Sequence, residues 1–344
     1  MQYKHSIQIK MILVTGGTGF IGAHLLFKLV SMGVPVRAMK RERSSLKITE
    51  KVFGFYSKEY ENLLSKIEWI DADFNNHGSL MKMLKDINKV YHCAGFVSFK
   101  PEDKSRIYES NLYGTKKLLD AVMASDIDKF CHLSSSSATD KNFMRAYVTE
   151  EMIWRPKHKC SDYARTKFLA ELAVFEAMAH GLRGIIVNPT NILGPYSQGG
   201  TSLLFQAVMH GLMFYPEGIN GFVDVGDVTT AMILLMDSNI SGERFIINAE
   251  NLAYKDVFKW IAAALKVESP KYLFNALESK LAWEGIKLYS KFSGKSPPLT
   301  KDNLTILSCH YYYSNEKIKE ALQMRFTPVQ KSIKTVARLF LEKM

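Results

Sequence analysis

Tyr163 and Lys167 stand four residues apart in "YARTK", one helical turn, so their side chains share a helix face. An ammonium beside a phenol stabilises phenolate and lowers its pKa, making the tyrosine a usable acid or base near neutrality. Taken alone, such a pair is common on exposed helices. It gains weight beside "FCHLSSSSATD", where four hydroxyls, Ser134 to Ser137, end an apolar run. One of them can hydrogen-bond a substrate oxygen while the others cap the chain or bond the backbone. The third set is "ILVTGGTGFIG", with Gly16, Gly19 and Gly22 at G-x-x-G-x-x-G spacing. Glycines there turn the chain at positive φ, let a pyrophosphate approach the backbone, and let a helix pack close to a sheet. Thr18, Phe20 and Ile21 complete the turn, and the helix start offers free N–H groups and a positive dipole end to phosphates. The chemistry implied is proton transfer beside a bound dinucleotide.

These groups need a scaffold, and the chain supplies one by alternation. Apolar or β-branched runs at Met11 to Thr15, Pro35 to Met39, Ile67 to Asp71, Lys89 to Cys93, Phe130 to Leu133 and Gly184 to Asn188 are separated by amphipathic stretches such as Thr115 to Ser125 and Tyr163 to His180. That order predicts an α/β fold, a Rossmann-type doubly wound parallel sheet. Ligands then sit beyond the carboxyl ends of the strands, where strand order reverses. After Pro189 the pattern gives way to the loop-like "NILGPYSQGG" and "FYPEGINGF", the helical Val225 to Leu235, and a smaller, mostly helical C-terminal region with "GKSPPLT" as its clearest linker. The expected organisation is a dinucleotide-binding domain over 11–190, with 223–250 returning to it, and a substrate-binding region from 191–222 and 251–344. Residues 1–10 read as a short extension.

Several classes are disfavoured. The formal charge of +11 invites nucleic acid, but the basic residues are dispersed without a basic run or interleaved aromatics. Cys93, Cys131, Cys160 and Cys309 show no metal-ligand spacing, so they read as reduced thiols with no metal site. No apolar run reaches the roughly 18–20 residues of a membrane span. The expectation is a cytoplasmic protein. At the end of the second strand, "VRAMKRER" places Arg37, Lys40, Arg41 and Arg43 where an acid would repel a ribose 2′-phosphate. The expected cofactor is NADP(H), with NAD(H) the alternative.

In order, "TGGTGFIG", "YHCAG", "NLYGT", the serine run, "YARTK", "NPTNILGP" and "FVDVGDV" resemble the extended short-chain dehydrogenase/reductase family over nearly the whole chain. The strand-end "VRAMKR" and the late segments look most like its dihydroflavonol reductase, cinnamoyl-CoA reductase and 3β-hydroxysteroid dehydrogenase branch. The resemblance implies that Tyr163 protonates a carbonyl oxygen or deprotonates an alcohol while hydride moves to or from nicotinamide C4. Lys167 would lower the phenol pKa and hold the nicotinamide ribose. The family serine matches Ser135, or Ser136 with a one-residue slip. Asn111 matches an asparagine supporting the active-site helix and a relay water; by its residue type it is equally a helix N-cap. Asp73 and Phe74 would flank adenine, Ala94 and Gly95 the middle of the cofactor, and Pro189, Asn191 and Ile192 its nicotinamide side. A homodimer through the helices near Thr115 to Ser125 and Tyr163 to His180 is also implied.

Three functions fit these parts. The first is a reductase or dehydrogenase acting on a carbonyl or secondary alcohol of a small organic molecule, and the strand-end cations favour it. The second is a nucleotide-sugar epimerase that retains NAD, and the third a non-catalytic cofactor-binding protein. The Asp-Glu pair that sugar dehydratases carry after the serine position is missing from "SSSSATDK". Phe96, Val97, Tyr196 and Phe222 are candidate substrate contacts whose aromatic and aliphatic character suits a flat or apolar molecule. "LAWEGIKLYSKFSGK" is read as a helix packed on the main domain, with membrane-surface contact the weaker alternative.

Overall fold

The computed structural model describes residues 11–139, 147–152, 160–274 and 307–342. The strands are β1 Met11–Thr15, β2 Val36–Lys40, β3 Ile67–Asp71, β4 Ile87–His92, β5 Lys129–Leu133, β6 Gly184–Pro189, β7 Asn191–Leu193, β8 Phe214–Pro216, β9 Ile219–Asp224, β10 Glu243–Ile247, β11 Glu250–Ala253 and β12 Tyr272–Phe274. The helices are α1 Phe20–Ser31, α2 Lys47–Tyr56, α3 Tyr60–Ser65, α4 His77–Leu84, α5 Lys104–Ile107, α6 Gly114–Met123, α7 Asp162–Ala179, α8 Thr201–Met209, α9 Val225–Asp237, α10 Tyr254–Leu265, α11 Glu316–Leu322 and α12 Val329–Leu341. A π-helical turn, Tyr108–Tyr113, joins α5 to α6.

Seven strands pair in the order β10-β6-β5-β4-β1-β2-β3, all parallel. The order reverses between β1 and β4, which places a crevice beyond their carboxyl ends. Successive residues of a strand face opposite sides, so Ile12 and Val14 enter one core with α1 and α9 while Leu13 enters another with α4, α6 and α7. Cys131 and Phe130 divide in the same way. This double burial explains why the strands read as nearly continuous apolar runs. The result is a Rossmann-type sheet with helices on both faces.

The later chain is less loop-like than its sequence suggests. "FYPEGINGF" contains β8 and β9, and β9 lies between β7 and β11 in a second sheet. Gly221 is required by packing, since a Cβ there would lie 2.4 Å from Asn248 Oδ1. A third core forms from β9, α8, α10 and α12. Asp227 anchors the segment leading to α12 by accepting the Thr327 amide at 2.7 Å and its hydroxyl at 3.0 Å. Residues 1–10, "LAWEGIKLYSKFSGK" and "GKSPPLT" lie outside the described residues. Among those described, no helix is long and apolar enough to cross a membrane.

Candidate active site and cofactor cleft

The turn after β1 is built around backbone contact. Gly16 sits at φ +72°, and a Cβ there would fall 2.6 Å from the Ala94 nitrogen. At Gly22 a Cβ would lie 2.2 Å from Gly16 O, so α1 can approach the turn only without one. Gly19 N donates to Gly16 O at 3.0 Å and caps α1 without any side-chain hydrogen bond or first-turn acid. The first-turn amides therefore remain available to an anion. These features fit a dinucleotide pyrophosphate.

A cleft of about 340 Å³ opens from this turn. Gly16, Thr18 and Gly19 form its base; Lys40 and Arg41 line one end with Asp73 and Phe74, and Ala94, Gly95 and Phe96 line the other. Ser44, Asn75, Arg106, Glu109 and Ser110 also line it and were not anticipated. The Arg106 guanidinium lies 3.9 Å from the Phe96 ring centroid. Phe20 and Ile21 do not line the cleft: they begin α1, and Ile21 packs on the first core.

Arg37 requires a correction. It lies inside β2 rather than at its end, and its guanidinium turns toward α4, binding Glu68 Oε1 at 2.8 Å and the Met83 and Lys85 carbonyls at 3.0 and 2.7 Å. It is therefore committed away from the cleft. Lys40 does reach the cleft, but its ammonium is 2.5 Å from Asp71. The Arg41 backbone N–H donates to Ser44 Oγ at 3.2 Å, closing a turn that brings both residues to the same wall.

Behind Gly95, and outside the residues that line the cleft, the chain after β5 delivers the serines and α7 the tyrosine and lysine. Ser135 Oγ accepts from Ser137 N at 3.1 Å, and of the two candidate serines it is the one whose hydroxyl acts on the Tyr163 phenol. Burial pushes the Tyr163 phenol up, and the Ser135 bond opposes this. Phe99 meets the Tyr163 ring edge-on at 5.7 Å. Lys167 donates from Nζ to Leu133 O at 2.9 Å. Its burial lowers the ammonium pKa to about 8, against the pull of Glu171 and Cys93. Gly95 keeps a side chain out of this space, where a Cβ would sit 3.5 Å from Lys167 Nζ.

Asn111 is not an N-cap; it lies within the π turn. Its amide clasps Phe96 from both sides, accepting from Phe96 N at 2.7 Å and donating to Phe96 O at 2.9 Å. Its backbone carbonyl accepts the Thr115 hydroxyl at 2.7 Å. With that proton committed, His92 Nε2–H donates to Thr115 Oγ at 2.9 Å and Nδ1 accepts from Thr15 at 2.7 Å. Desolvation lowers His92 to about 3, so it is neutral, as this chain of bonds requires. Thr15, His92, Thr115 and Asn111 thus tie the glycine turn to the active-site helix. The sequence signal for them was a histidine at the end of a strand, directly after the buried Val90 and Tyr91.

The remaining candidates are placed elsewhere. Pro189 ends β6, Asn191 donates to Gly221 O at 2.9 Å, and Ile192 packs on the first core; none lines the cleft. Val97 is 61 % exposed outside it. Tyr196, at φ +62°, lines a different cavity of about 380 Å³ against α12. Phe222 is fully buried on β9 against Tyr254, because an alternate β9 residue faces the third core; it is a packing residue rather than a substrate contact. Among the described residues no cluster of three metal-ligating side chains occurs.

A family model described as the NAD dependent epimerase/dehydratase family matches residues 12–249. The chain is 31 % identical over 255 residues to sterol demethylase protein B of Methylococcus capsulatus, covering 72 % of this chain and 73 % of that protein. It is 24 % identical to a putative dihydroflavonol 4-reductase of Synechocystis sp., over 99 % and 97 % of the two chains. The crystal structure of gox2253 superposes with a TM-score of 0.81 at 21 % identity, covering 97 % of this chain and 98 % of that one.

Proposed function

The chain belongs to the NAD dependent epimerase/dehydratase family, and we propose that within it the protein is an NADP(H)-preferring oxidoreductase acting on a carbonyl or secondary alcohol of a flat, apolar molecule. The observation that carries this reading is the Ser135–Tyr163–Lys167 set beside a cleft whose base is a bare glycine turn. When bound, the nicotinamide supplies or accepts the hydride at C4. In reduction Tyr163 donates its proton to the substrate oxygen; in oxidation it takes that proton back. Ser135 hydrogen-bonds the same oxygen and orients it. Lys167, fixed on Leu133 O, lowers the cost of the phenolate left behind.

Arg41, Lys40 and Ser44 at the adenosine end support the phosphorylated cofactor. Phe96 and Phe99 near the reacting end support an aromatic or polycyclic substrate, as do the sterol and flavonol names of the relatives. Exposed Met123 on α6 and Leu172 on α7 support a homodimer through those helices. NADPH oxidation against a panel of aromatic and steroidal ketones tests the reading. Turnover is expected. Tight copurifying NAD with sugar interconversion would favour an epimerase instead, and nucleotide binding without any turnover would favour a binding protein.

A further inference from the structure

Building on the oxidoreductase reading, we propose that Glu171 is a positioning residue of the active site, clamping the strand end that carries Ser135 from the same face of α7 that carries Lys167. Glu171 follows Lys167 by four residues on α7, so Tyr163, Lys167 and Glu171 form one stripe. Its carboxylate is buried, at 1 % exposure. It accepts from the Ser134 hydroxyl, from the Asn188 amide on β6, and from Arg244 on β10 at 3.3 Å. The same Asn188 nitrogen donates to Ser135 O at 3.0 Å, while Lys167 holds Leu133 O. Three consecutive residues, Leu133, Ser134 and Ser135, are thereby each held by this network.

The donor set also favours the charged form. An amide nitrogen and a guanidinium can only donate, so Asn188 and Arg244 match an ionised carboxylate, which the Ser134 hydroxyl completes by donating. Burial pushes Glu171 up, and the Ser134, Arg244 and Asn188 contacts oppose it. Arg244 is itself oriented by the Glu150 carbonyl at 2.6 Å and the Met152 carbonyl at 2.6 Å.

The titratable groups acting on Lys167 are Cys93 and His92 from β4 and its edge, His132 from β5, and Glu171. Burial raises Cys93 to about 12 and lowers His92 to about 3 and His132 well below its usual range. All three are uncharged at neutrality. Of these groups, only Glu171 carries charge to oppose the desolvation of Lys167.

The test uses the full chain and its Glu171→Gln variant, which keeps an acceptor oxygen and loses the charge. Tyr163 ionisation is followed by ultraviolet difference absorbance against Tyr163→Phe in each background, a readout that needs no substrate. Without Glu171 the Lys167 cation is lost at lower pH and the strand end carrying Ser135 is loosened; both remove stabilisation from the phenolate, so the Tyr163 midpoint should rise by about one pH unit. The alkaline limb of the kcat profile for carbonyl reduction, set by loss of the Lys167 cation, should move to lower pH, while NADPH affinity stays within twofold. An unmoved midpoint would overturn the proposal. Absence of turnover in the parent protein would instead count against the oxidoreductase reading and leave the absorbance test intact. Should Glu171→Gln fail to fold, Glu171→Leu combined with Arg244→Met removes the buried charge together with its partner, a replacement that cores often accept. The same upward shift of the Tyr163 midpoint is expected there, and no shift again overturns the role.

Discussion

Replacing Arg41 with Ala should weaken NADPH binding about tenfold and leave NADH within twofold. Of the four cations that approach the adenosine end in sequence, the structure leaves Arg37, Lys40 and Arg41 unequal. Arg37 is consumed by Glu68 and two helix-end carbonyls. Lys40 shares its field with Asp71 at 2.5 Å. Arg41 stands on the cleft wall with Ser44 and forms no ion pair among the described residues. A charge-assisted contact from this solvated wall to a phosphate is worth about 1.4 kcal/mol, more than an ordinary exposed ion pair and hence roughly tenfold in affinity. The same reasoning sets two companions. Asp71→Asn frees Lys40 and should tighten NADPH by about threefold, whereas Arg37→Ala should lower thermal stability and leave the NADPH/NADH ratio unchanged. Calorimetric titration of both nucleotides at fixed low salt reads these effects, since salt screens exposed charges. Equal loss of both nucleotides in Arg41→Ala, or parent protein that binds NADH more tightly, would refute the reasoning.

Tyr163→Phe should cut kcat by about 10²–10⁴-fold with NADPH affinity retained, as single-turnover kinetics and calorimetry would establish. Carbonyl reduction should fall as pH rises through about 8, because burial has lowered the Lys167 ammonium into that range and the cation is lost above it; a kcat profile flat to pH 10 would contradict this. Gly22→Ala places a Cβ 2.2 Å from Gly16 O, so α1 must lift from the turn. A destabilisation of about 1–3 kcal/mol in chemical denaturation, and loss of the NADPH-induced rise in Tm, are expected.

What could be read in advance follows the range of the interaction. The glycine turn is local: strand, helix and spacing lie within a dozen residues, and the positive φ at Gly16 follows from them. Tyr163 and Lys167 share a face through helical periodicity alone. Arg37 failed because its direction depends on its place within β2, not on its charge: one position inside the strand commits it to α4, while Lys40 at the strand end reaches the cleft. Phe222 failed for a related reason. Its surroundings read as a glycine-rich loop, yet β7 and β11 turn that segment into a central strand whose successive side chains enter opposite cores, Phe222 the third and Val223 the first.

The polar framework beneath the site was hidden because its members come from separate strands and helices. A parallel sheet gathers strand ends at one edge, so Thr15, His92, Leu133 and Asn188 become neighbours only after β1, β4, β5 and β6 pair. Each is a polar group or carbonyl that burial would penalise if left alone, and each except Asn188 Oδ1 finds a partner on a crossing helix or strand. A single residue then serves more than one element: the Asn188 amide holds both Glu171 and Ser135 O, and Thr115 holds both His92 and Asn111. Each such residue thus ties a strand to a helix. Ser135, Tyr163 and Lys167 therefore owe their geometry to side chains outside that set, and polar residues embedded in buried strands and helix faces are where such side chains should be sought.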